Sequence, residues 1–189
     1  KTGKIHKIIM QQKEIRINVC GDFYVDPYLN NSTFFDDDLL KIFRASDVNI
    51  VNLESPLTRN TSNKIRKSGP HLRLSPDAIT YLKQLRIHIV TLANNHIMDY
   101  SEQGLQDTLT ICQANSIKWV GAGMSLNEAK VPLIVEKGGV KIAILNFAEH
   151  EYSIATKNTP GANPYDLAEN ARQLREVRKY SDIVIVIIH

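Results

Sequence analysis

A chain of 189 residues with 43% hydrophobic and 23% charged side chains is long enough for one domain with its own core, and too ordinary for a disordered or fibrous protein. Its net charge of +3 comes from scattered basic residues with no interleaved aromatics, which argues against nucleic acid as a partner. Cys20 and Cys112 are too few and too far apart for a disulfide framework or a zinc knuckle, and no apolar run approaches the roughly 18 residues of a membrane span.

Residues 1–13 carry Lys1, Lys4, Lys7 and Lys13 and read as a flexible basic lead to a single domain over 14–189. Residues 14–20 alternate as a first strand. Gly21 is expected to turn the backbone there, leaving Asp22 at the strand's carboxyl end. Residues 35–45 have helical spacing in Leu39, Leu40 and Phe43, and Asp36, Asp37 and Asp38 suit the helix dipole better than a metal. Val48–Leu53 is a second strand, with Glu54 just past its end and Pro56 stopping it. The polar excursion 57–74 has the length of a lid or binding loop. Its Lys64, Arg66, Lys67 and Arg73 suit an anionic substrate, and plain solvation explains them as well.

Ser75-Pro76 caps a helix that buries Ile79, Leu82 and Leu85. A β-branched run from Ile87 breaks at Asn94-Asn95-His96 and restarts as a helix, with Ser101 expected as its cap and Leu105, Leu109 and Cys112 along its buried stripe. Amides, an imidazole and the Asp99 carboxylate therefore stand where a strand gives way to a helix, the place where open α/β sheets gather ligands. A polar turn explains those residues equally well when they are taken alone. After a short strand, Lys118–Val120, the pair Gly121-x-Gly123 lacks the third glycine of a dinucleotide site and reads as a tight turn. Ser125 and Glu128 form a capping box. Residues 133–136 and 140–146 make a hairpin over Lys137-Gly138-Gly139. An irregular stretch holds Glu149, His150, Glu151 and Tyr152. Asn163-Pro164 is then expected to open a helix to about Tyr180, with Leu167, Ala171, Leu174 and Val177 inward. The last strand ends on His189. A sequence closing on a polar group at a buried strand's tip reads as the N-terminal part of a longer domain.

Asp22, Glu54, Asn95 and His189 each fall at the carboxyl end of a different strand. In one parallel sheet those tips share an edge and converge. Two carboxylates, an amide oxygen and an imidazole suit Mn, Fe, Zn or Mg. Two such ions are the usual device against a phosphoryl centre, and Glu54 would bridge them.

Gly21-Asp22, Asn52-Leu53-Glu54-Ser55-Pro56, Leu92-Ala93-Asn94-Asn95-His96-x-x-Asp99, Gly121-x-Gly123 and the apolar strand ending in His189 follow one another over nearly the whole chain. In that order they resemble the CapA/PgsA poly-γ-glutamate capsule biosynthesis family, of the calcineurin-like metallophosphoesterase superfamily. The resemblance implies an α/β fold, the α/β/β/α sandwich of that superfamily, with a mostly parallel sheet, an antiparallel hairpin and a truncated C-terminal side. It implies Asp22, Glu54, Asn95 and His189 as metal ligands, with two divalent ions in the full-length protein. His96 becomes the catalytic proton donor and Asp99 its orienting partner. Apart from the resemblance, Asn52, Asn94 and the loop residues Lys64, Arg66 and Arg73 are the substrate-binding candidates. Three departures stand out. Asp22-Phe23-Tyr24 replaces Asp-x-His, Ser101 replaces a glycine after Asp99, and the family's Trp-Gly-x-Glu and Gly-His-x-His motifs are not among residues 1–189. Weak metal binding or none, and no activity, is expected of residues 1–189 alone.

The implied activity is hydrolysis of a phosphoester or a polymer amide by metal-bound hydroxide. The alternative is a non-catalytic module that holds or transfers an anionic capsule polymer, poly-γ-glutamate, beside capsule-synthesis membrane proteins. The cell envelope or extracellular face is the expected location, with a removed N-terminal segment as one means of anchoring, and the cytoplasm is the alternative. A serine esterase of the Gly-Asp-Ser type is excluded, because Phe23 stands where its nucleophile would be.

Overall fold

The computed structural model describes residues 14–25 and 35–189; the expected basic lead, 1–13, lies outside them. In chain order the first half forms β1 (Ile17–Phe23), α1 (Asp37–Arg44), β2 (Val48–Leu53), a 3-10 turn (Pro76–Ala78), α2 (Ile79–Gln84), β3 (Ile89–Thr91) and α3 (Ser101–Ala114). The second half adds β4 (Lys118–Val120), β5 (Ala122–Gly123), α4 (Leu126–Ala129), β6 (Leu133–Lys137), β7 (Val140–Phe147), β8 (Gly161–Ala162), α5 (Leu167–Val177) and β9 (Ile183–Ile188).

Strands β1, β2, β3 and β4 pair in that order, all parallel. A second sheet runs β6-β7-β9, antiparallel in the predicted hairpin and parallel between β7 and β9. Side chains alternate across a strand, so each strand has one face for each neighbouring layer. On β2, Val48 and Ile50 meet Ile89, Val120, Ile142 and Ile144 between the two sheets. Val51 and Leu53 turn the other way, to a core shared with Leu82 of α2 and Leu105 and Leu109 of α3. On β7, Ala143, Leu145 and Phe147 pack against Val177 of α5. The layers are therefore helix, sheet, sheet, helix, the expected α/β/β/α sandwich. Both cysteines are free. Cys112 is buried among apolar groups, which pushes its thiol up to about 12, and burial also raises Cys20.

Several details differ from the sequence reading. Strand β1 does not stop at Gly21. It continues through Phe23, with an irregularity in register between Val19 and Asp22, so Asp22 pairs with Asn52 inside the ladder. Helix α5 is capped by Asp166, whose side chain accepts from the Glu169 amide, rather than by Asn163. Leu167 is 73% exposed rather than inward. Asn163 is buried instead and donates to the Asn146 carbonyl at 3.0 Å.

Ser101 is not the cap of α3; Tyr100 takes that position without a side-chain bond. Ser101 has φ +59, the left-handed region, and its hydroxyl donates to the Asn63 carbonyl at 2.7 Å. That conformation explains why a glycine suits this position. Ser101→Val places a β-branched side chain at positive φ and removes the hydroxyl bond, so we expect a loss of about 2 kcal/mol in urea unfolding, with Ser101→Gly much closer to wild type.

Candidate functional site

Parallel pairing brings the carboxyl ends of β1, β2 and β3 to one edge, as expected. His189 reaches that edge differently. It follows β9, which belongs to the second sheet, so the tips come from two facing sheets rather than from one. The sheets are joined there by Asn146 of β7. Its Oδ1 accepts from the Ala93 amide at 2.6 Å, and its Nδ2 donates to the Ile187 carbonyl at 3.2 Å. The His189 amide donates to Phe147 O at 3.0 Å, and the Glu149 amide donates to His189 O at 3.1 Å.

Asn52 is the hub of the resulting polar cluster. Its Nδ2 donates to Asp22 Oδ1 at 2.7 Å and lies 3.3 Å from His189 Nδ1. Its Oδ1 accepts from Thr91 Oγ1 and Asn94 Nδ2, both at 3.2 Å. His189 Nδ1 is 3.7 Å from Asp22 Oδ1, and His189 Nε2 is 3.3 Å from Asn95 Oδ1. One tautomer satisfies this arrangement: Nδ1 accepts from Asn52, and Nε2–H donates to Asn95. Asn95 Nδ2 donates to Glu151 Oε2 at 2.8 Å, which turns its Oδ1 toward the ring. Asn95, Ala148, Glu149, Glu151 and His189 line a cavity of about 170 Å³ at this place.

Three of the four predicted metal ligands, Asp22, Asn95 and His189, therefore stand together. Glu54 is half-buried at the β2 tip and makes no hydrogen bond or ion pair with a described residue. No group of three or more His, Cys, Asp or Glu among the described residues is close enough to hold a metal ion. The donor set fits a divalent cation in kind. Asp22 Oδ1 and His189 Nδ1 both point at the positive edge of a single amide, which marks a spot where positive charge is favoured.

His96 and Asp99 are in contact, with His96 Nδ1 2.7 Å from Asp99 Oδ2. Asn94 connects this pair to the hub: its Oδ1 accepts from the His96 amide at 3.1 Å, while its Nδ2 reaches Asn52 and, at 2.9 Å, Leu53 O. The basic residues of the 57–74 loop divide. Lys64 and Arg73 flank the Tyr100 ring, at 5.7 and 5.9 Å from its centroid, and Arg73 also donates to Thr58 O at 2.9 Å. Arg66 is exposed. None of these three lines the cavity beside His189. Lys67 instead turns inward and pairs with Asp99. The inward course of Lys67, the joint made by Asn146 and the bond that Asn95 donates to Glu151 are not among the sequence-based expectations. A polar residue closing the apolar run of β7 was a legible signal for Asn146 alone.

A model of the family described as bacterial capsule synthesis protein PGA_cap matches residues 7–189. The chain belongs to that family. Among its relatives, the PGA biosynthesis protein CapA of Bacillus subtilis (strain 168) is 38% identical over 151 residues, covering 78% of this chain and 40% of that protein. A probable polyglutamine synthesis accessory protein of Mycobacterium tuberculosis is 34% identical over 158 residues, covering 77% and 41%. The chain thus spans about 40% of the length of these relatives. A solved phosphatase from Mycoplasma pneumoniae overlays on 93% of this chain and 55% of its own, with a TM-score of 0.49 and 20% identity, too loose a likeness to carry argument.

Proposed function

We propose that this PGA_cap chain supplies the strand-tip half of a metal-dependent hydrolase centre used in capsule polymer biosynthesis, acting on a phosphoester or on an amide of an anionic polymer such as poly-γ-glutamate. The observation that carries the proposal is the meeting of Asp22, Asn95 and His189 around Asn52, with the His96–Asp99 pair linked to them through Asn94. A divalent ion (Mn, Fe, Zn or Mg) held by Asp22, Asn95 and His189 beside Glu54 would polarise the scissile group and make water a nucleophile near neutral pH.

The chain's own residues do the rest. Asn52 fixes the Asp22 carboxylate and the His189 ring, and Glu151 fixes the Asn95 amide, so the donors are oriented before anything binds. Asp99 holds His96 by Nδ1, leaving Nε2 to exchange a proton with a leaving oxygen. The relatives' names point to poly-glutamate as the polymer, and the cell envelope, among other capsule-synthesis proteins, is the place of work we propose. A module that merely holds polymer on the 57–74 loop draws less support, because Lys67 is buried on Asp99 and Arg73 is bonded to Thr58.

The test is turnover of a chromogenic phosphodiester by the full-length protein with added Mn²⁺. Asn95→Ala and His96→Ala should each lower kcat by roughly 10²-fold or more. Metal-independent polymer binding with no turnover would overturn the proposal.

A further inference from the structure

The Lys67 side chain is 2% exposed, and that of Asp99, its partner, is fully enclosed. Lysine is seldom buried this deeply unless paired. A buried ion pair adds little net stability, since the cost of removing two charges from water offsets their attraction. The pair's effect on its neighbours is a better guide to its use.

Asp99 Oδ2 accepts from the Leu72 amide at 2.7 Å and faces His96 Nδ1 at 2.7 Å. Asp99 Oδ1 has the Lys67 ammonium against it and no hydrogen-bond partner besides among the described residues. Lys67 Nζ also stands 3.0 Å from His96 Nδ1 and 6.0 Å from the centroid of the Tyr152 ring. The ammonium therefore touches both Asp99 Oδ1 and the Nδ1 edge of the ring, and holds the carboxylate and the imidazole in one arrangement. His96 Nε2 makes no hydrogen bond with a described residue.

We propose that Lys67 is a positioning residue for His96, acting through Asp99 and through its own contact at Nδ1, and not a substrate-binding residue of the 57–74 loop. This rests on the hydrolase reading above. It extends that reading by making the loop part of the apparatus that aims the imidazole.

The test compares Lys67→Met, Asp99→Asn and the double variant in the full-length protein, with Mn²⁺ and a chromogenic phosphodiester. Lys67→Met should lower kcat roughly 10²-fold with KM unchanged, as expected for a misplaced catalytic group. The double variant should be no slower than Asp99→Asn alone, because both changes act on one ring. A raised KM with kcat kept, or losses that multiply in the double variant, would overturn the proposal. Should Lys67→Met not fold, Lys67→Leu removes the same contact to Asp99 and gives the same comparison. Should the unaltered protein turn nothing over, the hydrolase reading fails separately. Three-bond couplings at His96 then decide the positioning role: one χ1 rotamer in the unaltered protein and averaging in Lys67→Met or Lys67→Leu support it, and a single rotamer kept in both proteins overturns it.

Discussion

Gly121→Ala should destabilise the protein by about 3–5 kcal/mol, the largest effect we expect from a single added methyl group. Gly121 has φ +94, and a Cβ built there would lie 2.1 Å from Asn146 Oδ1 and 2.9 Å from Ala93 Cβ. Neither neighbour has room to yield. Asn146 is fully buried, held by the Ala93 amide on one side and Ile187 O on the other, and its own carbonyl accepts from Asn163 Nδ2. Gly121 O in turn accepts from the Asn163 amide at 2.8 Å. The methyl group would prise apart the joint between the two sheets, so the tips of β3 and β9 would shift and the distance from Asn95 to His189 would open. Urea unfolding measures the stability change, and a loss under about 1 kcal/mol would mean that the joint is softer than its contacts imply.

Asn52→Leu tests the hub in the same way. The substitution keeps the volume and removes the amide, which leaves the buried Thr91 hydroxyl and Asn94 amide without their shared acceptor and Asp22 without its donor. Leaving buried polar groups unpaired costs about 1–3 kcal/mol each, so a total of about 3 kcal/mol is expected in unfolding. Divalent-metal affinity, measured by calorimetry on the full-length protein, should fall roughly 10- to 100-fold, since Asn52 aims two of the donors. Unchanged affinity would show that Asp22 and His189 hold their places without it.

Much of this arrangement was legible in the amino-acid order. The β-branched runs ending in Glu54, Asn94 and His189 marked parallel strands whose tips carry polar groups, and the His96-x-x-Asp99 spacing put ring and carboxylate together. What escaped was set by contacts between distant segments. Nothing near Gly21 discloses that β1 runs on past an irregularity to pair Asp22 with Asn52, because a strand's register depends on its neighbour. Lys67 looked like the other basic residues of its loop. Its burial follows from how the loop folds back onto Asp99, where the Asp99 carbonyl also accepts from the Ile65 amide at 3.2 Å. The division of the tips between two sheets was equally hidden, since β9 reads as a buried parallel strand in either sheet.

The most direct measurement is a crystal structure of the full-length protein grown with Mn²⁺, with anomalous scattering recorded at the metal's absorption edge. A peak in contact with Asp22, Asn95 and His189 is the predicted result. Anomalous density elsewhere, with these three side chains turned away from one another, would contradict the account.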